Sequence, residues 1–131
     1  MLFGGKSAAI SRLRALATEC GLQDWDGNDA SAIDPSALQN AEDFVRALPE
    51  GIPMPECAAE PDGAISLDWI QSRHRLFSVS VGQSSRLAYA WLDGADKGHA
   101  VARFDGFIVP RLVLSGIQSI LNPANACLRP A

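Results

Sequence analysis

The chain has few cysteines and histidines. Its three cysteines, Cys20, Cys57 and Cys127, are far apart and form no C-x-x-C pair. An odd, scattered set of cysteines argues against a disulfide framework. The chain has only two histidines, His74 and His99, and no zinc-finger pattern can be assembled from these residues. We therefore expect no disulfide, no bound metal and no cofactor, as in a protein of the reducing cytoplasm.

Long apolar runs are also missing. No uninterrupted stretch approaches the roughly 20 apolar residues that a membrane-spanning helix needs. Between Met1 and Lys6 only Leu2 and Phe3 are large and apolar, so the charged-then-apolar order of a secretory signal is missing. These absences predict a soluble, cytoplasmic protein without a membrane partner.

The composition is that of a globular domain. Of the 131 residues, 47% are apolar and 20% are charged, enough apolar side chains for one hydrophobic core. We expect a single domain over residues 1–123 and a flexible tail over 124–131. The net charge of −4 conceals an asymmetry, because residues 1–69 carry four basic and twelve acidic side chains, whereas residues 70–131 carry seven basic and three acidic ones.

Two helices are predicted in the first half of the chain. The first is capped by Ser7, and its apolar positions follow at 3-4-3 spacing: Ile10, Leu13, Ala17 and Cys20. The dipeptide Asp34-Pro35 joins an N-cap carboxylate to a proline at the first helical position, which predicts a second helix ending before Pro49. Within it, Glu42 and Arg46 are expected to form an i,i+4 ion pair on the outer side.

From residue 52 the apolar pattern alternates instead. An edge segment runs towards residue 59, and alternation over 65–69, 75–81, 86–92 and 99–104 predicts strands joined by links too short for a parallel crossover. A last helix is predicted from Pro110, with these residues inward: Leu112, Val113, Ile117, Ile120 and Leu121. The expected fold is α+β with two layers, in which an antiparallel meander of four to five strands is covered on one face by two N-terminal helices and one C-terminal helix.

The acidic segment Asp24 to Asp29 lies between the two N-terminal helices. Oxygen ligands at alternate positions of such a loop are typical of an EF-hand calcium site. However, Asp29 stands at the sixth position where glycine is needed, and Pro35 at the twelfth where a bidentate glutamate is needed. We therefore favour a loop that hydrogen-bonds its own backbone, with Trp25 filling the space between helices and sheet.

Two further sets of residues are candidates for binding. The aromatic side chains of the strands suggest either a stacking platform for nucleic acid or a hydrophobic core. The net charge of −4 favours the core, because nucleic acid is itself negatively charged. Any ring left exposed would mark a protein-binding patch. A small basic group suggests an acidic partner or a solvated strand edge. The candidate binding set contains Arg73, Arg75, Arg86, Trp25, Trp69, Tyr89 and Trp91.

Three blocks of the chain carry a family resemblance. They are Asp24-Trp25-Asp26-Gly27 before the second helix, the segment from residue 47 to 55, and residues 60–69 with their Pro-Asp-Gly turn and Ile-Ser-Leu-Asp-Trp strand. With these blocks the chain resembles, over residues 20–106, a family of small uncharacterised bacterial proteins encoded as accessory or mobile-element genes. The family has an aromatic–glycine pair where this chain has Asn28-Asp29. The resemblance implies no activity, and it implies that the Trp25 loop is a structural signature.

No sequence motif indicates catalysis. The chain has no G-x-S-x-G elbow, no Walker loop and no dinucleotide fingerprint, so enzymatic activity is left open with no residue to carry it. The leading hypothesis is a non-catalytic accessory domain that binds another protein, including a second copy as a homodimer, and does not bind nucleic acid. The alternative is a ligand-binding or enzymatic domain with a pocket between helices and sheet near Trp25, Trp69 and Tyr89.

Overall fold

The structure is a computed structural model that describes residues 2–122, and the side chains from residue 5 onward. It contains these elements in chain order: α1 (Leu2–Glu19), α2 (Pro35–Ala47), β1 (Glu56–Ala59), β2 (Ile65–Ser72), β3 (Arg75–Val81), β4 (Arg86–Asp93), β5 (Asp96–Arg103) and α3 (Arg111–Leu121). No helix within residues 2–122 combines the length and the apolar character needed to cross a membrane. The predicted tail at 124–131 and Cys127 lie outside the described residues.

The five strands form one antiparallel sheet in the order β1-β2-β3-β4-β5. Each strand pairs with the next along the chain, so the predicted α+β meander is confirmed. Tight turns make this possible because glycine adopts positive φ at two of them, Gly63 with φ 92° before β2 and Gly94 with φ 64° between β4 and β5. β1 and β5 are the edges of the sheet, and β5 begins at Asp96, three residues earlier than its alternation predicts.

One face of the sheet holds the core. Every second residue of β2, β3 and β4 points to that face, including the buried Leu67, Val79 and Leu87. The helices cover it, with α1 against β1, α2 against β2 and β3, and α3 against β2, β3 and β4. The opposite face carries serines and alanines beside the exposed Ile70 and Val101. On this face the hydroxyls of Ser66 and Ser78 both donate to Asp68 Oδ1.

The second helix begins as predicted but buries a charge. Asp34 Oδ1 accepts a hydrogen bond from the Ser36 amide at 2.7 Å, which caps the helix. The prediction that Glu42 lies on the outer side is wrong: its side chain is only 6% exposed and is held between α1 and α2. Arg14 of α1 donates to both carboxylate oxygens, at 2.9 and 3.3 Å, and Arg46 donates at 3.1 Å. The Arg14 guanidinium, helped by Arg46, lowers the pKa of Glu42, so the buried carboxylate stays charged.

The first and last helices differ from prediction in one detail each. α1 begins at Leu2, well before the predicted cap Ser7. In α3 the buried residues Val113, Ile117 and Ile120 are as predicted, but Leu112 is 66% exposed and does not point inward. The inward face of α3 is centred on the 113–117–120 stripe, and Leu112 falls outside that stripe, so it faces solvent.

Candidate interaction surface

The three arginines proposed as a basic group do not form one. Arg75 is bonded to other parts of the fold: its Nε donates to Asp93 Oδ1 at 3.1 Å, and its Nη2 donates to the Ser119 carbonyl of α3 at 2.9 Å. Arg73 lies in the β2–β3 turn, where its Nε donates to His74 Nε2 at 3.2 Å. Arg86 begins β4, whereas Asp93, the partner of Arg75, ends it. Seven residue steps along a strand separate these ends by about 23 Å.

The structure gives Arg86 different neighbours. It lies directly opposite Arg103 across the β4–β5 pair, and Arg103 lines a shallow surface recess together with Arg111 of α3. All three side chains are exposed, and none forms a salt bridge with another residue of 2–122. Like charges directly opposite one another across a strand pair are destabilising, so this arrangement is not explained by stability. We name Arg86, Arg103 and Arg111 the basic rim.

Large apolar side chains are exposed beside the basic rim. Phe107 is 83% exposed and Ile108 72% in the loop between β5 and α3, and Leu112 is 66% exposed in the first turn of α3. Ile108 lines the same recess as Arg103 and Arg111. We name Phe107, Ile108 and Leu112 the apolar patch. Single exposed apolar residues are common, whereas several in one region of the surface favour a binding surface.

The loop that carries Phe107 and Ile108 is held by the Asp105 side chain. Asp105 Oδ1 accepts hydrogen bonds from the amides of Phe107 at 2.8 Å and Ile108 at 2.9 Å. These two backbone hydrogen bonds lower the pKa of Asp105, because they favour its charged form. Phe104 before the loop and Val109 after it are both buried. Phe107 and Ile108 are therefore presented from a segment that is anchored at both ends.

Sequence reasoning did not identify this surface. The Asp105-Gly106 turn indicates only the end of the sheet, and the opposition of two arginines depends on a strand register that alternation does not specify. The signal available in the sequence was Phe107-Ile108, two large apolar residues between a turn and Pro110, outside any helix or strand pattern.

Two of the predicted binding aromatics are structural. Trp69 is 2% exposed, and its Nε1 donates to the Pro53 carbonyl at 2.8 Å, which ties β2 to the segment before β1. Trp25 is half-buried against the core, and its Nε1 donates to the Ser31 carbonyl at 2.7 Å. Both indole N–H groups are therefore used within the fold, and Trp69 is a core residue.

The other two aromatics, Tyr89 and Trp91, line a cleft. It has a volume of about 380 Å³ and lies between α3 and strands β3 to β5. The predicted alternative was a pocket near Trp25, Trp69 and Tyr89. Among the residues lining the cleft only Tyr89 belongs to that set, and Trp69 is packed in the core instead.

The acidic loop between α1 and α2 is closed by its own backbone. Asp26 Oδ1 accepts from the amides of Asn28 and Ala30 at 2.8 and 3.0 Å, and Asp24 Oδ1 accepts from the Asp29 amide at 2.6 Å. Within residues 2–122 no three of histidine, cysteine, aspartate and glutamate come together as a metal site.

The two cysteines in the described range are free. Cys20 is buried and Cys57 is half-buried. Burial raises the pKa of both thiols, which favours the protonated, unreactive form.

Comparisons of the chain with protein-family models, with curated proteins and with solved structures find no match. The resemblance stated from the Trp25 loop and the Ile65–Trp69 strand therefore stays a prediction.

Proposed function

We propose that the protein is a non-catalytic accessory domain of the cytoplasm that binds another protein through the apolar patch and the basic rim. The observation that carries this proposal is the exposure of Phe107 and Ile108 from a hydrogen-bonded, anchored loop, with Leu112 exposed nearby at the start of α3. Removing such side chains from water on binding is favourable by about 25 cal/mol per Å². An ordered segment loses little conformational entropy when it binds, so more of that gain is kept.

The charges of the basic rim indicate the kind of partner. Arg86 and Arg103 face one another and lack carboxylate partners within residues 2–122. An acidic surface that meets them would relieve their mutual repulsion and would form charge-assisted hydrogen bonds. We therefore propose a partner whose contact surface is acidic and has an apolar centre.

A second copy of this chain is one partner of that kind. Residues 1–69 carry twelve acidic side chains against four basic ones, so the chain contains the complementary charge itself. In addition, β5 is an eight-residue edge strand with one side of its backbone unpaired among residues 2–122. Such an edge can extend the sheet by pairing with another strand.

The experiment compares capture by matched variants from a bacterial lysate. Phe107→Ser removes the most exposed apolar side chain of the patch, and Leu22→Ser is its control, because Leu22 is 79% exposed in the loop after α1. Arg103→Glu reverses a charge of the basic rim, and Arg12→Glu does the same on the exposed side of α1. Co-purified proteins are identified by mass spectrometry, and self-association is measured in parallel by light scattering over a range of concentrations.

We expect a specific protein, or a concentration-dependent rise in mass, that both controls retain and both surface variants lose. Retention of every captured protein by Phe107→Ser and Arg103→Glu, with a constant monomer mass, would contradict the proposal.

A further inference from the structure

We propose that the cleft between α3 and the sheet is a binding site for a small organic cation with an aromatic or apolar body. The cleft adjoins the proposed protein-binding surface at Leu112, which belongs to both, but the inference rests on other residues and does not require the proposed function. The cleft of about 380 Å³ lies within the range of small-molecule sites, roughly 300 to 1,000 Å³. Its lining combines stacked rings, an unpaired phenol and an excess of negative charge.

The wall formed by the sheet is aromatic. Phe77, Tyr89 and Trp91 follow one another across β3 and β4, with ring centroids 5.7 Å apart for the first pair and 6.1 Å for the second. Both pairs are close to parallel, at interplanar angles of 23° and 30°. Ile120 and Leu112 of α3 add aliphatic surface on the other side. This lining fits an aromatic or aliphatic body, and aromatic rings also attract a cation.

Two polar groups in the wall have no partner among residues 2–122. Tyr89 is only 7% exposed as a residue, yet its hydroxyl makes no hydrogen bond there. Within residues 2–122, every side-chain polar atom that is fully enclosed has a hydrogen-bond partner. Because the Tyr89 hydroxyl has none, it must be the accessible part of this residue and must reach the cleft. The indole N–H of Trp91 likewise has no hydrogen-bond partner in the described part of the chain, whereas those of Trp25 and Trp69 each bind a carbonyl. The phenol can donate or accept a hydrogen bond and the indole N–H can donate one, so both groups can bind a ligand in the cleft.

The charges that line the cleft favour a cation. Asp93 and Asp96 lie directly opposite one another at the ends of β4 and β5. Asp93 is neutralised by Arg75, which also binds the Ser119 carbonyl, whereas Asp96 forms no salt bridge within the described residues. The cleft therefore has one uncompensated carboxylate. An ammonium group near Asp96 would be paired with it and would face the aromatic wall.

The binding test uses three molecules of the same shape. Phenethylammonium carries a positive charge, 2-phenylethanol is neutral and phenylacetate is negative, so charge preference is separated from the affinity of the ring. Binding is followed by the indole N–H resonance of Trp91 in a nitrogen-15 NMR spectrum, assigned with Trp91→Phe. Asp96→Asn removes the carboxylate charge, and Glu50→Gln is the control because Glu50 is an exposed acid outside the cleft.

We expect saturable shifts of the Trp91 resonance with phenethylammonium, weaker binding of 2-phenylethanol and the weakest binding of phenylacetate. Asp96→Asn should weaken phenethylammonium by about two- to five-fold, as for a partly exposed ion pair, and should leave 2-phenylethanol unchanged. Glu50→Gln should change neither. Equal affinity for all three molecules, preference for phenylacetate, or no saturable shift with any of them would overturn the inference.

Discussion

Substitution of Gly116 by alanine should destabilise the protein, although alanine is the better helix former. Gly116 lies in the middle of α3, where the helix rests on the sheet. A Cβ atom built there would be 2.3 Å from Phe77 Cε2 and 2.9 Å from Phe77 Cζ. Because carbon atoms pack at roughly 3.5 to 4.0 Å, the ring or the helix would have to move by more than about 1 Å.

The two opposing effects differ in size. Replacing glycine by alanine inside an unhindered helix stabilises it by about 1 kcal/mol. Adding a methyl group to a packed core costs about 1 to 3 kcal/mol. Phe77 cannot rotate away freely, since it is 1% exposed and stacked on Tyr89. The steric cost should therefore lie in the upper part of its range and exceed the helical gain, leaving a net loss of up to about 2 kcal/mol in the free energy of unfolding.

Urea unfolding followed by circular dichroism measures this loss directly, and Gly5→Ala is the matched control. Gly5 is also helical, but a Cβ there would meet only Met54 Cγ at 3.8 Å, an ordinary contact. We expect Gly5→Ala to raise the free energy of unfolding by about 0.5 kcal/mol and Gly116→Ala to lower it.

A double variant tests whether Phe77 is the cause. In the Phe77→Leu background the ring that meets the new methyl group is gone, so Gly116→Ala should cost at least about 1 kcal/mol less than in the wild type. A Gly116→Ala protein as stable as the wild type would refute the close packing of α3 on β3. A penalty that persists unchanged in the Phe77→Leu background would refute the assignment to this contact.

Three further predictions concern side-chain hydrogen bonds of the fold. Glu42→Gln should lower the free energy of unfolding at pH 7 by about 2 kcal/mol, because it removes charge-assisted bonds from Arg14 and Arg46. The folded pKa of Glu42 is below the unfolded value of about 4.3. The stability that the Glu42 carboxylate contributes is therefore complete above that value and is lost as the pH falls through the folded pKa. Urea unfolding of both proteins should show the difference in their free energies of unfolding becoming smaller in acid. Asp34→Ala should cost about 1 kcal/mol in the same assay through loss of the α2 cap. Asp105→Ala should accelerate hydrogen exchange of the Phe107 and Ile108 amides without a comparable effect in the core, and unchanged exchange would contradict the anchoring of that loop.

The sheet was predictable because its signal is local. In β3, Phe77, Val79 and Val81 alternate with two serines, and that alternation alone specifies a strand with one buried face. Links of a few residues then leave an antiparallel meander as the available topology. The start of α2 was predictable for the same reason, since Asp34 and Pro35 act on the next turn of chain.

The errors arose where a residue far away in sequence decides the outcome. Glu42 is buried because Arg14, 28 residues earlier, binds it, and no helical period shows that partner. Arg86 and Arg103 face one another because of the strand register, which depends on the length of the β4–β5 turn. Arg75 reads as a surface charge, yet it is tied to Asp93 and to α3. Local pattern therefore predicted the scaffold, while the candidate sites required the tertiary structure.

The cleft itself follows from where the fold uses glycine. Gly116 lets α3 approach the sheet at Phe77, so the helix covers β2 to β4. Beyond it, β5 presents Gly98, and a Cβ there would meet the Trp91 ring at 2.4 Å, so the indole itself lies against the edge strand. Thus α3 approaches the sheet closely at Gly116, and the Trp91 ring approaches β5 closely at Gly98. The space between α3 and Trp91 is left unfilled and forms the cleft. Because that space is bounded on both sides by contacts that tolerate no extra methyl group, we expect Gly98 and Gly116 to set its shape, which is the preorganisation that the proposed small-molecule site requires.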